Sequence, residues 1–210
     1  MPEFKLPIGK KSQTKAKGQA EHISDLIDLS IVMSVAVKKI FFEKSETKFT
    51  SDLIIKKKTI TRFRSRMRVD AMEKFNQTTV FSVIHFYLNT EDMSAGEPVG
   101  LMIVYMERKF VPEILRLLKY PYIDYDEDDE VLDGAGAIAN LIAGKFKQEI
   151  KKLGYVDLEL SPFKSFINKT GSGVQFPVDQ NDRFEISFDV DNVKRLVVEM
   201  VMTAIPKVYA

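Results

Sequence analysis

Cysteine is absent from this chain, and histidine occurs only at His22 and His85. The missing thiols exclude disulfides, thiolate metal sites and cysteine nucleophiles. Two histidines far apart in sequence do not indicate a histidine-rich metal site, and no nucleophile motif supports a serine hydrolase. No apolar run approaches the ~20 residues that a membrane-spanning helix needs. Because the lysine-rich start carries no apolar signal core either, we predict a cytoplasmic protein without a membrane partner.

The chain also lacks an excess of charge of either sign. Its 31 lysines and arginines nearly balance 30 acidic residues, giving a net charge of +1, which argues against a general polyanion binder. Phosphate-loop, dinucleotide, zinc-protease and hydrolase motifs are all missing. The apolar content of 45% is enough for a substantial core, and 210 residues fit one domain with extensions. We predict a main domain over residues 20–190, a basic disordered tail over 1–19 and a C-terminal helical extension over 191–210.

The order of helix and strand patterns is typical of an α+β domain. Apolar residues spaced at i, i+3 and i+4 predict helices over 21–44, 108–118, 130–153 and 192–205. Strands are predicted over 78–88, over the strongly apolar 98–106, over the alternating 155–160, and over 171–178 and 184–190, with an extended segment over 47–69. The valines of 192–205 leave a strand as an alternative there. Because the hairpins stand apart from the helices, we expect an antiparallel or mixed sheet with helices packed on one face.

A row of arginines marks the extended segment. Over residues 59–69, Arg62, Arg64, Arg66 and Arg68 alternate with other side chains, which predicts one strand with four arginines on one face. We favour a solvated edge strand or a strand that faces a second copy, with an acidic protein surface as the alternative. Binding of nucleic acid is disfavoured, because few aromatic residues interleave with the arginines and the whole chain is nearly neutral.

Two further features have ordinary structural explanations. His85 falls within a predicted strand, where we expect a packed or half-exposed side chain. The acidic run 124–130 directly precedes the longest predicted helix, where negative charge is favoured by the exposed N–H groups. We interpret this run as a helix-start and solubility cluster rather than a Mg²⁺ site, so no metal site is predicted.

The most unusual stretch is the helix predicted over residues 130–153. Its first half is rich in small residues and includes three glycines, Gly134, Gly136 and Gly144. Interior glycine costs a helix about 1 kcal/mol relative to alanine, so we expect another backbone to approach closely. Helical spacing gives this segment an apolar face, formed by Val131, Ala135, Ile138, Ile142, Phe146 and Ile150. A second face carries Asp133, Ala137, Asn140 and Gly144.

Asn140 is the functional side chain of that second face. An asparagine on a helix is most often exposed to water or hydrogen-bonded to a neighbour. Its amide can also donate to a phosphoryl oxygen or an attacking water, and accept from water, without needing a particular pKa. In this role Asn140 would support chemistry that is located in another molecule.

These residues resemble a known signature. Residues 133–145, followed by 152–154 and 160–162 with Pro162, resemble the motif of the CheC/CheX/FliY group of bacterial chemotaxis phosphatases, which is related to FliM. That motif is Asp or Ser, three residues, Glu, two residues, Asn, and a proline some twenty residues later. The order of predicted elements from about residue 20 to 190 is most similar to CheX, which implies the CheX/CheC-like fold.

The resemblance also implies an activity and a partner. The group hydrolyses the phosphoaspartate of the response regulator CheY: the asparagine orients the attacking water, the glutamate pairs with a lysine of the regulator, and Mg²⁺ belongs to the regulator. Asn140 then matches the catalytic asparagine and Asp133 the leading position. The chain departs from the motif at Ala137, which stands at the glutamate position. Loss of that charge-assisted contact, worth about 1.5–3 kcal/mol, implies a rate lower by roughly 10–100-fold.

The leading hypothesis is therefore a chemotaxis or two-component signalling domain that binds a phosphorylated CheY-like receiver domain and hydrolyses its phosphoaspartate weakly or not at all. Asp133, Ala137, Asn140 and Gly144 form the expected partner-binding face, Asn140 is the candidate catalytic residue, and the chain needs no cofactor of its own. The alternative is a non-catalytic structural or oligomerisation module, a homodimer for example, that uses the glycine- and alanine-rich helix face.

Overall fold

A hairpin of two strongly apolar strands lies inside a large sheet. The structure, a computed structural model, describes residues 9–45, 54–59, 62–63, 66–67, 74–168, 171, 174–177, 182–190 and 193–208. The hairpin strands are β4 (Thr79–Tyr87) and β5 (Gly100–Glu107), which pair antiparallel as predicted. Their connection contains a one-and-a-half-turn helix, α2 (Thr90–Ala95), whose N-cap Asn89 accepts the N–H of Asp92 at 2.8 Å.

The sheet has seven strands, and all of its pairings are antiparallel. Besides β4 and β5, it contains β1 (Ile54–Thr59), β6 (Glu159–Leu160), β7 (Lys164–Ile167), β8 (Asp182–Val190) and β9 (Val193–Met202). The strand order is β1-β8-β9-β5-β4-β6, and β7 pairs with β4 beside β6. Two short strands, β2 (Arg62–Phe63) and β3 (Arg66–Met67), form a separate pair.

Three helices cover one face of this sheet. They are α1 (Gly9–Ser45), α3 (Val111–Leu117), which follows a 3₁₀ turn at Arg108–Phe110, and α4 (Asp128–Lys152). Alternate residues of β5 separate the two faces: Met102, Val104 and Met106 join the core beneath the helices, whereas Leu101, Ile103 and Tyr105 join a smaller core on the other side. The predicted α+β class, with helices packed on one sheet face, is confirmed.

The second sheet face is also buried, and it contains charge. Phe75, Phe166, Val174 and Phe176 contribute to its apolar cover. Beside them, the ammonium group of buried Lys74 pairs with both Glu185 of β8 and Glu199 of β9. Glu199 also accepts hydrogen bonds from the Tyr105 hydroxyl (2.9 Å) and from Arg183 (3.2 Å). Burial, reinforced by the negative charge of Glu199, raises the pKa of Tyr105 well above its ordinary value.

The long helices α1 and α4 run antiparallel. Lys39 pairs with Glu149 at 2.8 Å, and Lys145 pairs with Glu43 at 2.9 Å. Hydrogen bonds from Lys39 and Lys152 lower the pKa of Glu149 to about 2. A step of four residues forward along α1 therefore corresponds to a step of four residues backward along α4. Within the described residues, neither these helices nor the shorter ones combine the length and apolarity that crossing a membrane requires.

The largest error of the sequence-based assignment is at residues 192–205. Val193–Met202 is strand β9 instead of a helix, and it lies between β8 and β5 within the main sheet rather than in an extension. The valine-rich segment fits both the helical and the strand period, because a strand buried on both faces is apolar at most of its positions. The alternative of a strand was correct.

Other elements differ more locally from the expectations. The N-terminal helix begins at Gly9 rather than at residue 21, so the backbone of 9–19 is helical where a disordered tail was expected, whereas residues 1–8 lie outside the described ranges. The arginine-rich segment is not one strand, because Arg62 pairs with Met67 and Phe63 with Arg66, which requires the chain to reverse. Arg64 and Arg68 lie outside the described ranges. The last hairpin joins β8 to β9, and the described part of 171–178 contains no strand.

Candidate functional site

The connection that enters α4 fixes where this helix begins. The guanidinium group of Arg108 donates to the carbonyl oxygen of Tyr125 (3.0 and 3.2 Å) and to that of Asp126 (3.0 Å). It also lies over the Tyr125 ring and pairs with Asp128, the first residue of α4, at 2.7 Å. Arg108 therefore ties the start of α4 to the end of β5.

The acidic run 124–130 leads into α4, and it acts through charge rather than a side-chain cap. Asp128, Asp129 and Glu130 occupy the first turn, where the exposed N–H groups favour carboxylates. Glu127 stands at the N-cap without a side-chain capping hydrogen bond. The Oε2 atom of Glu130 accepts the N–H of Asp124 at 2.6 Å, which holds the acidic linker against the helix.

The apolar face of α4 is buried as predicted. Six residues at helical spacing are fully inaccessible and belong to the core between the helices and the sheet: Val131, Ala135, Ile138, Ile142, Phe146 and Ile150. Phe146 meets Phe86 of β4 edge to face, with ring centroids 5.6 Å apart. This packing fixes the rotation of α4 about its axis and so determines which residues face outward.

Two of the three glycines of α4 make room for side chains, whereas another backbone had been expected. A Cβ atom on Gly136 would lie 2.1 Å from the Phe163 ring, and one on Gly134 would lie 2.7 Å from Leu115 of α3. Gly144 differs, because a Cβ atom there would meet none of the described residues within 4 Å. The contacts made by the folded chain therefore explain Gly134 and Gly136 but not Gly144.

The second face of α4 points to solvent. We call Asp133, Ala137, Asn140 and Gly144 the α4 outer face: Asp133 and Asn140 are exposed, and Ala137 and Gly144 are half-buried. In the part of the chain that the structure describes, the side chains of Asp133 and Asn140 form no hydrogen bond or ion pair. The Asn140 amide is thus available to another molecule.

The loop after β6 borders this face on one side. Ser161 fixes the loop to β4, because its Oγ accepts the N–H of His85 at 3.0 Å and its own N–H donates to the His85 carbonyl at 3.0 Å. The next residues, Pro162 and Phe163, are exposed, and the Phe163 ring lies over Gly136. Sequence reasoning did not assign Phe163 to the site. The glycine at position 136 indicated that another group packs closely against the helix. The sequence did not indicate that this group is the Phe163 ring.

Basic residues occupy the C-terminal end of α4 beyond Gly144. Lys147 and Lys151 both bind Asp157, at 3.2 and 2.6 Å, and their hydrogen bonds lower the pKa of its carboxyl group. These lysines are therefore already paired with a carboxylate. These two lysines mark the C-terminal end of the α4 outer face.

The α4 outer face offers an amide but no carboxylate next to it. Ala137, one turn before Asn140, ends in a methyl group. Glu130 precedes Asn140 by ten residues, or about 15 Å along a helix, and its Oε2 is engaged with Asp124. Among the described residues, no three potential ligands from His, Cys, Asp and Glu are grouped so as to hold a metal ion. Chemically, the face can position a water or a phosphoryl oxygen that another molecule brings.

His85 is packed, as expected, and lies behind the Ser161 loop. Its Nε2 atom accepts the N–H of Gln175 at 3.1 Å. Burial, together with the positive charge of Lys164, lowers the pKa of His85 from 6.5 to about 4. The ring is therefore neutral at pH 7 and serves the packing of the loop.

No protein-family model and no curated relative matches the sequence, but solved structures match the fold. A CheC-like superfamily protein from Shewanella sp. PV-4 aligns with a TM-score of 0.54 and 12% identity, over 83% of this chain and 96% of that protein. A putative chemotaxis protein from Desulfovibrio vulgaris Hildenborough gives 0.53 and 15%, over 83% and 96%. CheX from Borrelia burgdorferi, in its complex with CheY, BeF3 and Mg²⁺, gives 0.51 and 13%, over 86% and 99%. The chain has the CheC/CheX fold.

The CheC/CheX fold confirms, at the level of architecture, the resemblance drawn from residues 133–162. The alignments extend over more than four fifths of the chain, so the likeness is not confined to the motif helix. At 12–15% identity, what is shared is the arrangement of helices and strands.

Proposed function

We propose that this protein binds the phosphorylated receiver domain of a CheY-like response regulator through the α4 outer face, in a chemotaxis or two-component signalling pathway of the cytoplasm. The observation that carries this proposal is the exposed Asn140 amide, which is free of partners among the described residues on the central helix of a CheC/CheX fold. The complex of CheX with CheY among the similar structures supports the choice of partner.

In the proposed complex, Asn140 enters the phosphorylation site of the receiver domain. Its amide donates to a phosphoryl oxygen and accepts from a water molecule, which positions that water for attack on phosphorus. The receiver domain supplies the aspartate and the Mg²⁺, so this chain contributes position rather than a nucleophile. Because Ala137 cannot pair with a cationic group of the partner, hydrolysis is slow and binding is the main activity.

The test is the decay of a phosphorylated receiver domain in the presence of the protein. We expect weak acceleration by the wild type, none by Asn140→Ala, and an acceleration larger by about 10–100-fold for Ala137→Glu, which restores a carboxylate one turn before the amide. Gln148→Ala is the matched control, since it also removes an exposed amide from α4 and should behave like the wild type.

Binding and hydrolysis are separated by a second measurement, the affinity for the same receiver domain in its phosphorylated and unphosphorylated forms. Preferential binding of the phosphorylated form without accelerated decay would identify a silent binder. The proposal fails if the wild type neither binds the phosphorylated domain nor changes its decay, and if Ala137→Glu gains nothing.

A second candidate function is a structural module that associates through the small residues of α4. The observation in its favour is Gly144, whose missing side chain leaves open space beside Asn140. Gly134 and Gly136 offer a second molecule less room, because Leu115 and Phe163 already fill the space above them. A stable oligomer that Gly144→Leu disrupts, together with no affinity for a receiver domain, would favour this alternative.

A further inference from the structure

Helix α1 carries an exposed apolar stripe that the proposed function does not use. Ile27, Ile31, Val35 and Phe42 are 44%, 45%, 38% and 57% exposed. At 100° per residue they fall within about 80° around the helix, and half-buried Lys38 falls within the same arc. We call these four apolar residues the α1 stripe. Scattered exposed apolar residues are ordinary, but an aligned row along one helix face marks an interaction surface.

The α1 stripe is separate from the α4 outer face. The pairs Lys39–Glu149 and Glu43–Lys145 align the two antiparallel helices. Ile31 lies eight residues before Lys39, and Asn140 lies nine residues before Glu149. At 1.5 Å per residue in opposite directions, Ile31 and Asn140 are about 25 Å apart along the helix axes. A molecule docked on the stripe therefore leaves Asn140 accessible.

We propose that the α1 stripe binds the α1 stripe of a second copy of this chain, with the two helices antiparallel. The position of Lys38 argues for this orientation. A parallel pair would set Lys38 against Lys38 of the second copy, with two like charges in an apolar seam. An antiparallel pair centred between Ser34 and Val35 sets Lys38 against Ile31, where its aliphatic stem packs and its ammonium group reaches solvent. The same register sets Ile27 against Phe42 and brings the two Val35 side chains together.

The charges beside the stripe support the same arrangement. Asp28 and Lys39 lie on one flank of the stripe, and the Lys39 side chain is 44% exposed despite its bond to Glu149. In an antiparallel pair the equivalent flanks meet, so Asp28 comes within about 3 Å along the axis of Lys39 of the second copy. In a parallel pair the two would be about 16 Å apart along the axis. The complementary contacts then occur twice, as a two-fold symmetric interface requires.

The small area of the α1 stripe limits the affinity expected for the dimer. The stripe is about 22 Å long and belongs to a single helix, so it buries less than the ~800 Å² per partner of a standard interface. We therefore expect a dimer that dissociates in the micromolar range. This inference does not depend on receiver-domain binding, and its tests use the protein alone.

Sedimentation equilibrium across a range of protein concentrations tests whether the chain dimerises through the α1 stripe. We expect the wild type to dimerise and Ile31→Glu to raise the dissociation constant by at least about tenfold, because the new carboxylate would be buried in an apolar seam. Val208→Glu, at an exposed apolar residue outside α1, is the matched control and should dimerise normally. Circular dichroism verifies that both variants are folded. A wild type that is monomeric into the hundreds of micromolar range, or an Ile31→Glu dimer as stable as that of Val208→Glu, would overturn the proposal.

The absence of cysteine makes the orientation testable by disulfide cross-linking. Val35→Cys should form covalent dimers, since the two sulfur atoms meet near the symmetry axis. Ile27→Cys alone should not, because its copies are about 22 Å apart, whereas a mixture of Ile27→Cys and Phe42→Cys should cross-link. Cross-linking of Ile27→Cys with itself as fast as Val35→Cys would contradict the antiparallel arrangement.

Discussion

At Ala137 a methyl group occupies the turn before Asn140. In the proposed function, this single position slows hydrolysis of the phosphoaspartate but leaves binding of the receiver domain intact. An amide can orient water, but it cannot pair with a cation as a carboxylate does. Glu130 does not replace the missing group, because the Asp124 N–H holds its carboxylate at the start of α4. Sequence periodicity was sufficient to place Asn140 on an outward face. It could not indicate that Asn140 is free of partners among the described residues, since that depends on loops distant in sequence.

His85 gives a prediction at the residue scale. Its folded-state pKa of about 4 lies below the unfolded value of 6.5, so between these pH values the unfolded chain binds a proton that the folded chain excludes. The free energy of unfolding should therefore fall as the pH drops from 6.5 to 4, by up to about 3 kcal/mol, and this contribution is constant above pH 6.5. His85→Gln, which keeps a hydrogen-bond acceptor but does not titrate, should flatten this part of the profile.

Urea denaturation at several pH values measures this effect. Acidic groups also lower stability in acid, but Glu149, with a pKa of about 2 against an ordinary 4.5, contributes to a loss below pH 4.5. The interval between pH 6.5 and 5 is therefore diagnostic of His85. Identical slopes for the wild type and His85→Gln in that interval would contradict the assignment.

At the scale of elements, α4 contains glycines that serve different purposes. Gly136→Ala should be less favourable than Gly144→Ala, because the new methyl group must displace the exposed Phe163 ring, which offsets the roughly 1 kcal/mol that alanine gains in the helix. Gly144→Ala should stabilise it by up to about 1 kcal/mol, since alanine favours the helix and nothing lies in the way. Thermal unfolding of the two variants is the measurement, and each serves as the control for the other. Equal shifts in both would mean that Phe163 does not occupy the space above Gly136.

The helices and strands also show how far the sequence predicts structure. The predicted boundaries of α4 agree with the observed ones within two residues, because its apolar face and its flanking charges are unambiguous. Strand β9 was assigned as a helix, because its buried residues satisfy both periods. Strand β7 was missed since its four residues carry little pattern of their own and are held by pairing with β4. Local pattern thus fails where distant pairing determines the structure.

At the scale of the whole molecule, a sheet buried on both faces contains a charged cluster on the side away from the helices. Lys74 pairs with both Glu185 and Glu199 there. Lys74→Met should cost about 3–5 kcal/mol of stability, because it leaves two carboxylates buried without their main partner. Lys194→Met is the control, since Lys194 is exposed and its ammonium group lies over the Phe75 ring, 5.2 Å from the centroid. Urea denaturation that gives equal stability for both variants would contradict this role for Lys74.

The sequence predicted the class of the fold but not the order of its strands. Two apolar segments on either side of a polar turn identified β4 and β5, and the motif around Asn140 led to the CheC/CheX architecture. The neighbours of β9 could not be predicted, because antiparallel pairing between β5 and β9, which are distant in the chain, has no local sequence signal. That β9 pairs with both β8 and β5 is a property of the complete sheet.

The position of β9 has a consequence for biosynthesis. Strand β1 reaches the sheet through β8, and β8 reaches the hairpin of β4 and β5 through β9. While the ribosome is still making residues 193–202, the early strand and the early hairpin lack the strand that joins them. The nascent chain therefore cannot join β1 to the strongly apolar β4–β5 hairpin until residues 193–202 have been made. Closure of the sheet then follows the synthesis of β9, which connects the early strand to the early hairpin.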